Sequence, residues 1–124
     1  MVRPVLVVFE VADLGRSVAL YRDGFGIDLH VGDHGGDDRW TSGRHGSYSW
    51  RDGAYFHFAL YEAKTDERST GAQLGLSVDD IEAGHAQAVA AGAEVIHPPR
   101  PEPWGATARY RDPDGNIVSL TQSA

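Results

Sequence analysis

The 124-residue chain contains no cysteine, which excludes disulfides, zinc–thiolate sites and a thiol nucleophile. It also lacks an excess of basic charge. Its 11 Lys and Arg stand against 18 Asp and Glu, and the formal charge of -7 disfavours nucleic acid and anionic membrane as partners while modestly favouring a cationic ligand. The longest strongly apolar run, residues 5–11, is too short to span a bilayer or to act as a secretory signal, so a cytoplasmic location is expected. No Gly-x-Ser-x-Gly elbow, phosphate loop or dinucleotide fingerprint occurs, and no His-x-x-x-His pair falls on an expected helix. The length suits a single domain over residues 1–124. The 15 Gly and 6 Pro are dispersed, as turns are, rather than gathered into a linker.

What the chain does contain is a repeat. Val5–Leu14 and Ala72–Ile81 both run as a β-rich segment into an Asp suited to cap a helix, and these residues, Asp13 and Asp80, lie 67 positions apart. After the first Asp, Leu14, Val18, Tyr21 and Phe25 form an apolar stripe at helical spacing; after the second, the stripe is Ile81, His85, Ala88 and Gly92. Gly24, Gly26 and Gly92 are suited to end these helices. Strands are expected at 27–31, 40–41, 48–50 and 55–61 in the first copy and at 93–97, 107–111 and 117–121 in the second. Residues 32–39 read as loop, and 98–103 as too proline-rich for an interior strand. The fold class is therefore α+β, with module one over about 3–62 and module two over about 71–122.

Near the C-terminus, Arg109-Tyr110-Arg111-Asp112-Pro113-Asp114-Gly115-Asn116-Ile117-Val118-Ser119 reads as a hairpin. Pro113 suits the first central position of a type I turn, Asp112 and Asp114 can bond turn amides, and Gly115 accepts a positive φ. This hairpin resembles the closing hairpin of the vicinal oxygen chelate superfamily, which includes glyoxalase I, the extradiol dioxygenases and the bleomycin resistance proteins. The resemblance covers essentially the whole chain. It implies two βαβββ modules forming curved mixed sheets around a ligand pocket, and a homodimer.

Metal-using members of that superfamily place two ligands in each half. By resemblance these positions fall at Leu6 and Ala59 in the first module and at Gln73 and Ser119 in the second. A divalent cation needs several donors within about 2.0–2.6 Å. Leu6 and Ala59 carry no donor atom, and Gln73 and Ser119 are weak ones, so no metal and no cofactor are expected. In character the chain is similar to the metal-free bleomycin resistance proteins.

Strand alternation separates Val5, Val7, Phe9, Val11, Phe56, Phe58 and Leu60 as core from Leu6, Val8, Glu10, Tyr55, His57, Ala59 and Tyr61 on the opposite face, which lines the cavity in the family. In the second module Leu74, Leu76 and Val78 are core, and Gln73, Gly75 and Ser77 face the other way. His57 on the pocket face is a hydrogen-bond donor, an ordinary cross-strand residue or a metal ligand with only Gln73 as a companion. Glu10 is a general base or a paired strand-end carboxylate. His85 reads as a half-buried helix residue with its polar tip at water, and His30, His34, His45 and His97 as surface residues at strand ends or loops.

All three tryptophans fall at loop or strand-end positions, where flat side chains can clamp a planar ligand. Pro103-Trp104-Gly105 resembles the sequence of bleomycin resistance proteins that stacks on the drug, which implies either a ligand contact at Trp104, with Trp40 as its counterpart, or, as is common in the superfamily, a Trp104 that covers one end of the sheet. Arg109 either orients an anionic or carbonyl group or sits on a solvated strand face. The expected ligand residues are Trp40, Trp50, Tyr55, His57, Tyr61, Gln73, Trp104, Arg109 and Ser119. The leading functional expectation is metal-independent binding that sequesters a planar aromatic compound or antibiotic. The alternative is a lyase or isomerase of the same superfamily, with a divergent metal site or with Glu10 or His57 moving a proton. A third is a domain whose partner is another protein.

Overall fold

Asp13 and Asp80 each end a strand and start a helix. Their backbones are extended (φ -133, ψ 102 and φ -134, ψ 101), and their carboxylates accept from the amides of Arg16 at 3.0 Å and Ala83 at 3.1 Å. The near identity of the two caps expresses the sequence repeat in geometry.

The computed structural model of the protein describes residues 2–34 and 43–124. The first module runs β1 (Leu6–Val11), α1 (Leu14–Ala19), β2 (His30–His34), β3 (Gly43–Trp50) and β4 (Phe56–Glu62). The second runs β5 (Gln73–Ser77), α2 (Ile81–Ala90), β6 (Glu94–Glu102), β7 (Gly105–Arg111) and β8 (Ile117–Ser123). The two sheets have orders β1-β4-β3-β2 and β5-β8-β7-β6, with β1 parallel to β4, β5 parallel to β8 and the other pairs antiparallel. The architecture is α+β with two similar modules, as expected, and neither sheet closes into a barrel.

Several boundaries differ from the sequence expectation. The second strand starts at His30, because Ile27 and Leu29 are buried in the connection ahead of it, and it continues to His34 through residues expected as loop. The first helix changes pitch, passing from α1 into a π-helical turn over Leu20–Gly24, yet all four stripe residues Leu14, Val18, Tyr21 and Phe25 are buried. Pro98, Pro99 and Pro101 lie within β6, and Pro103 lies in the turn after it. β6 is an edge strand whose register shifts twice, between Val95 and His97 and again between His97 and Arg100, so missing amide donors interrupt no interior ladder. The strand expected at 40–41 lies outside the described residues.

One continuous core serves both modules. Phe9 and Phe58 from the first sheet meet Tyr21 edge-on or tilted; Tyr21 contacts Phe25, and Phe25 contacts Tyr110 of β7 at 5.6 Å between centroids. The modules also meet where α2 packs on the Leu20–Gly24 turn. The core-facing alternation predicted for β1 and β4 holds at Phe9, Val11, Phe58 and Leu60, with Ala59 buried as well.

The Asp112–Asn116 turn does more than join two strands. Gly115 has φ +87 and donates to the Asp112 carbonyl at 3.1 Å, which closes the expected turn, while Asp112 Oδ1 accepts from the amides of Asp114 and Asn116 at 2.9 and 2.8 Å. The remaining bonds reach out of the turn. Tyr21 donates its hydroxyl to Asp112 Oδ2 at 2.7 Å, Ala12 N–H and Ser17 Oγ bond the Asp114 carboxylate at 3.0 and 3.4 Å, and Arg68 Nε lies 3.0 Å from it. Asn116 accepts from Ala72 N–H and donates to the Ser69 carbonyl in the inter-module segment. Asp112, Asp114 and Asn116 are all buried. Burial and then the adjacent Asp112 carboxylate push the Tyr21 phenol far above its ordinary range.

Removing one end of such a network strands buried partners. Asp114→Ala is expected to destabilise the chain by about 2–4 kcal/mol, and Tyr21→Phe by about 1–3 kcal/mol, in urea unfolding. Stabilities of both variants within about 0.5 kcal/mol of the wild type would remove the turn from this structural role.

Candidate functional site

The faces of the sheets turned away from the shared core carry six of the nine residues singled out as ligand contacts. On the first sheet, register sets three rows on that face: Leu6–His57–Ser49, Val8–Ala59–Ser47–His30 and Glu10–Tyr61–His45–Gly32. Leu6 and Val8 remain 52% and 38% exposed, so in the single chain this face is open. Short polar or flat side chains dominate its centre.

His57 and Tyr61 occupy the predicted face, each with a close neighbour. Ser49 Oγ lies 2.6 Å from His57 Nδ1, and the Tyr55 ring is nearly parallel to the His57 ring at 6.4 Å between centroids and 8° between planes. Arg51 Cζ stands 5.0 Å from the centre of the Tyr55 ring. His45 stacks on Tyr61 at 4.5 Å and 9°. Burial, then His45, then Arg51 hold the His57 imidazolium below its ordinary range, so the ring is kept neutral.

Ser49 and His45 were missed from sequence. His45 lies inside β3 on the open face, not at a strand end or in a loop. The alternation of His45, Ser47 and Ser49 against Gly46, Tyr48 and Trp50 was the available signal, weakened by glycine and by polar residues on both sides. His85 is a half-buried helix residue as expected, with its Nδ1 bonded to the Tyr110 hydroxyl at 2.7 Å.

Trp50 lies on the core side of β3, edge-on to Tyr48 at 4.9 Å and tilted against Phe56. With Phe56, Leu74 and Leu76 it lines an apolar cleft of about 390 Å³ beside β5, away from the His57 row. Trp104, at the β6–β7 turn, is 60% exposed. Gly105 after it has φ +143 and approaches the Gln122 carbonyl so closely that a Cβ would run into it. Trp40 lies outside the described residues.

On the second sheet the open face aligns Gly75, Ser119, Arg109 and His97 across the four strands, with Gln73 exposed at the start of β5. Arg111 is paired with Glu94 at 2.8 Å, whereas exposed Arg109 has no ion pair among the described residues. The structure thus groups Tyr55, His57 and Tyr61 on one sheet and Gln73, Arg109 and Ser119 on the other. Both sets face away from the common core.

The metal positions implied by the fold do not fit a metal. Leu6 and Ala59 offer no donor, Ser119 neighbours Arg109, and among the described residues no three His, Asp or Glu side chains come together as a cation site. No helix is long and apolar enough to cross a membrane.

Comparison with known proteins places this geometry in context. Residues 4–120 match the Glyoxalase/Bleomycin resistance protein/Dioxygenase superfamily. The antibiotic-binding protein TnmS3 from Streptomyces sp. CB03234 is similar in structure, with TM-score 0.75 and 27% identity over 100% of this chain and 98% of that one. A glyoxalase/bleomycin resistance protein from the same organism gives TM-score 0.72 and 27% identity, over 97% of this chain and 100% of the other. A superfamily member from Sphaerobacter thermophilus shares the fold, with TM-score 0.69 at 21% identity over 99% and 98% of the two chains. No curated protein matches the chain.

The depressed His57 titration has a sign that can be measured. Folding disfavours its charged form, so the stability it supports is present above the ordinary value of 6.5 and is lost as pH falls through the lowered pKa. The urea midpoint of the wild type is expected to fall more between pH 7.5 and 5 than that of His57→Gln. Parallel pH profiles would contradict the assignment.

Proposed function

This chain belongs to the Glyoxalase/Bleomycin resistance protein/Dioxygenase superfamily, and we propose that within it the protein is a metal-independent binding protein that sequesters a planar aromatic compound of the antibiotic class. The observation that carries this reading is the open face of the first sheet. Where metal-using relatives would need donors it has Leu6 and Ala59, and around them stand flat rings, Tyr61 on His45 and Tyr55 beside His57. Stacked rings on a rigid sheet offer large contact area with little loss of rotamer freedom. The similarity to an antibiotic-binding protein supports the same class of ligand.

The proposed working form is a homodimer. Each open face is a half-site, and a second copy that brings its Gln73–Arg109–Ser119 face over the His57–Tyr61 face would enclose a ligand between the two modules. Leu6 and Val8, left exposed on that face, would then be covered. Trp104 at the sheet end remains a proposed stacking contact, and Trp40 joins it on sequence grounds.

Isothermal titration with a panel of planar antibiotics, read also by tryptophan fluorescence, tests the reading. Micromolar binding at one site per chain is expected, with Trp104→Ala weakening it about two- to tenfold. Sedimentation should report a dimer. Turnover of a glyoxalase-type substrate, without binding of any planar compound at high micromolar concentration, would replace the reading with the enzymatic alternative.

A further inference from the structure

The open face of the second sheet carries more positive charge than its own carboxylates neutralise. Arg111 and Arg109 alternate along β7, and Arg100 on β6 pairs with Thr107 one row further on. The edge strand supplies a partner to the two outer arginines, Glu94 to Arg111 at 2.8 Å and Glu102 to Arg100 at 3.0 Å. Arg109 stands between these pairs, exposed and without an ion pair among the described residues. Opposite it on β6 is His97, whose Nδ1 lies 2.9 Å from the Pro98 carbonyl and which offers no negative charge. On its other side is Ser119, whose hydroxyl has no hydrogen bond among the described residues and lies 3.4 Å from where a Cβ on Gly75 would stand. Glycine there leaves the hydroxyl uncovered from that side.

From this arrangement we infer that Arg109, together with the Ser119 hydroxyl, is the anchor for a carboxylate, and that the ligand of the protein is a planar aromatic acid. The aromatic part rests on the binding reading above, whereas the anchor stands on the second sheet alone. Directly paired residues of an antiparallel ladder have Cβ atoms about 4.5–5.5 Å apart, so guanidinium and hydroxyl can reach one group together. A guanidinium presents parallel N–H donors that match two carboxylate oxygens, and the hydroxyl adds a third donor. A neutral oxygen gains only a weaker hydrogen bond there, and a cation is repelled. Glu10, on the open face of the first sheet, is the carboxylate that a second copy would offer in competition.

Two measurements test the anchor and the ligand class separately. In nitrogen-15 NMR the Arg109 Nε–H resonance, assigned by its loss in Arg109→Gln, is expected to shift saturably with millimolar benzoate and not with benzyl alcohol, while that of exposed Arg16 stays in place. No shift with benzoate overturns the anchor, whether or not planar compounds bind. A shift on Glu10→Gln without one on benzoate assigns Arg109 to the second copy's carboxylate and equally overturns the proposal. Titration with 2-anthracenecarboxylate and 2-anthracenemethanol then reads the ligand class. The wild type should prefer the carboxylate about three- to tenfold. Arg109→Gln should abolish the preference, and Arg109→Lys, which keeps the charge without the planar fork, should retain part of it. Arg16→Gln, which removes the same charge elsewhere, should leave it unchanged. Equal affinities, a preference that survives in Arg109→Gln, or tighter binding of 2-(aminomethyl)anthracene overturns the aromatic acid and leaves aromatic binding standing. If no anthracene binds while benzoate still moves Arg109, the planar ligand falls with the binding reading and the carboxylate anchor alone stands.

Discussion

Asp112, Asp114 and Asn116 stand on one tight turn of the second module, yet much of their bonding is with the first module and the segment between the two. Buried carboxylates are tolerated only where hydrogen bonds replace their lost hydration. Here the replacements are Tyr21, Ser17, the Ala12 amide and Arg68, so one module's turn is satisfied only when the other is docked against it. The apolar contacts from Phe9 and Phe58 through Tyr21 and Phe25 to Tyr110 could tolerate small slippage. The hydrogen bonds cannot, because their lengths and directions are narrow. The turn therefore fixes how the sheets share their core, and with that fixes which faces are left open.

Duplicated scaffold and diverged surface meet on those faces. Ala59 pairs with Val8, and Ser119 pairs with Gly75, at equivalent places in the two parallel ladders. The backbone plan is the same, but one module surrounds that place with imidazole and phenol rings and the other with hydroxyls and Arg109. A metal centre would require donors from both repeats in one cage. Side chains that differ this much suit asymmetric recognition instead, with a flat wall on one side and polar anchors on the other.

The parts of the fold legible from sequence were those written in local chemistry. Capping aspartates, the helical stripe from Leu14 to Phe25, the positive φ of Gly115 and strand alternation in β1 and β4 each depend on residues close in sequence. The extent of β6 was not legible, because a proline run excludes a central strand but permits an edge, and edge position is decided by distant pairing. The clamp was hidden for the same reason: its partners lie 91–102 residues away along the chain for Tyr21, Ser17 and Ala12. At the site, the facing of His57 and Tyr61 followed from alternation, whereas Trp50 ends a strand as expected but its side was not legible. A tryptophan at a strand end looks like a loop aromatic, and only its pairing with Phe56 places it on the core side.

The overall acidity of the chain pointed to a cationic ligand, but the local environment of the open faces argues otherwise. Net charge acts at long range, and at physiological ionic strength its field is largely screened beyond about 8 Å. What a bound ligand feels is set inside that distance. On the first sheet the neighbours are Glu10, Arg51, His45 and a His57 whose charged form is disfavoured, and on the second sheet it is Arg109 that lacks an ion pair among the described residues. Four carboxylates are engaged away from that face: Asp112 and Asp114 lie inside the turn's hydrogen-bond network, Glu94 is paired with Arg111, and Glu102 is held by Arg100 and Thr107. The guanidinium groups of Arg51 and Arg109 thus stand at the open faces of a protein whose net charge is acidic.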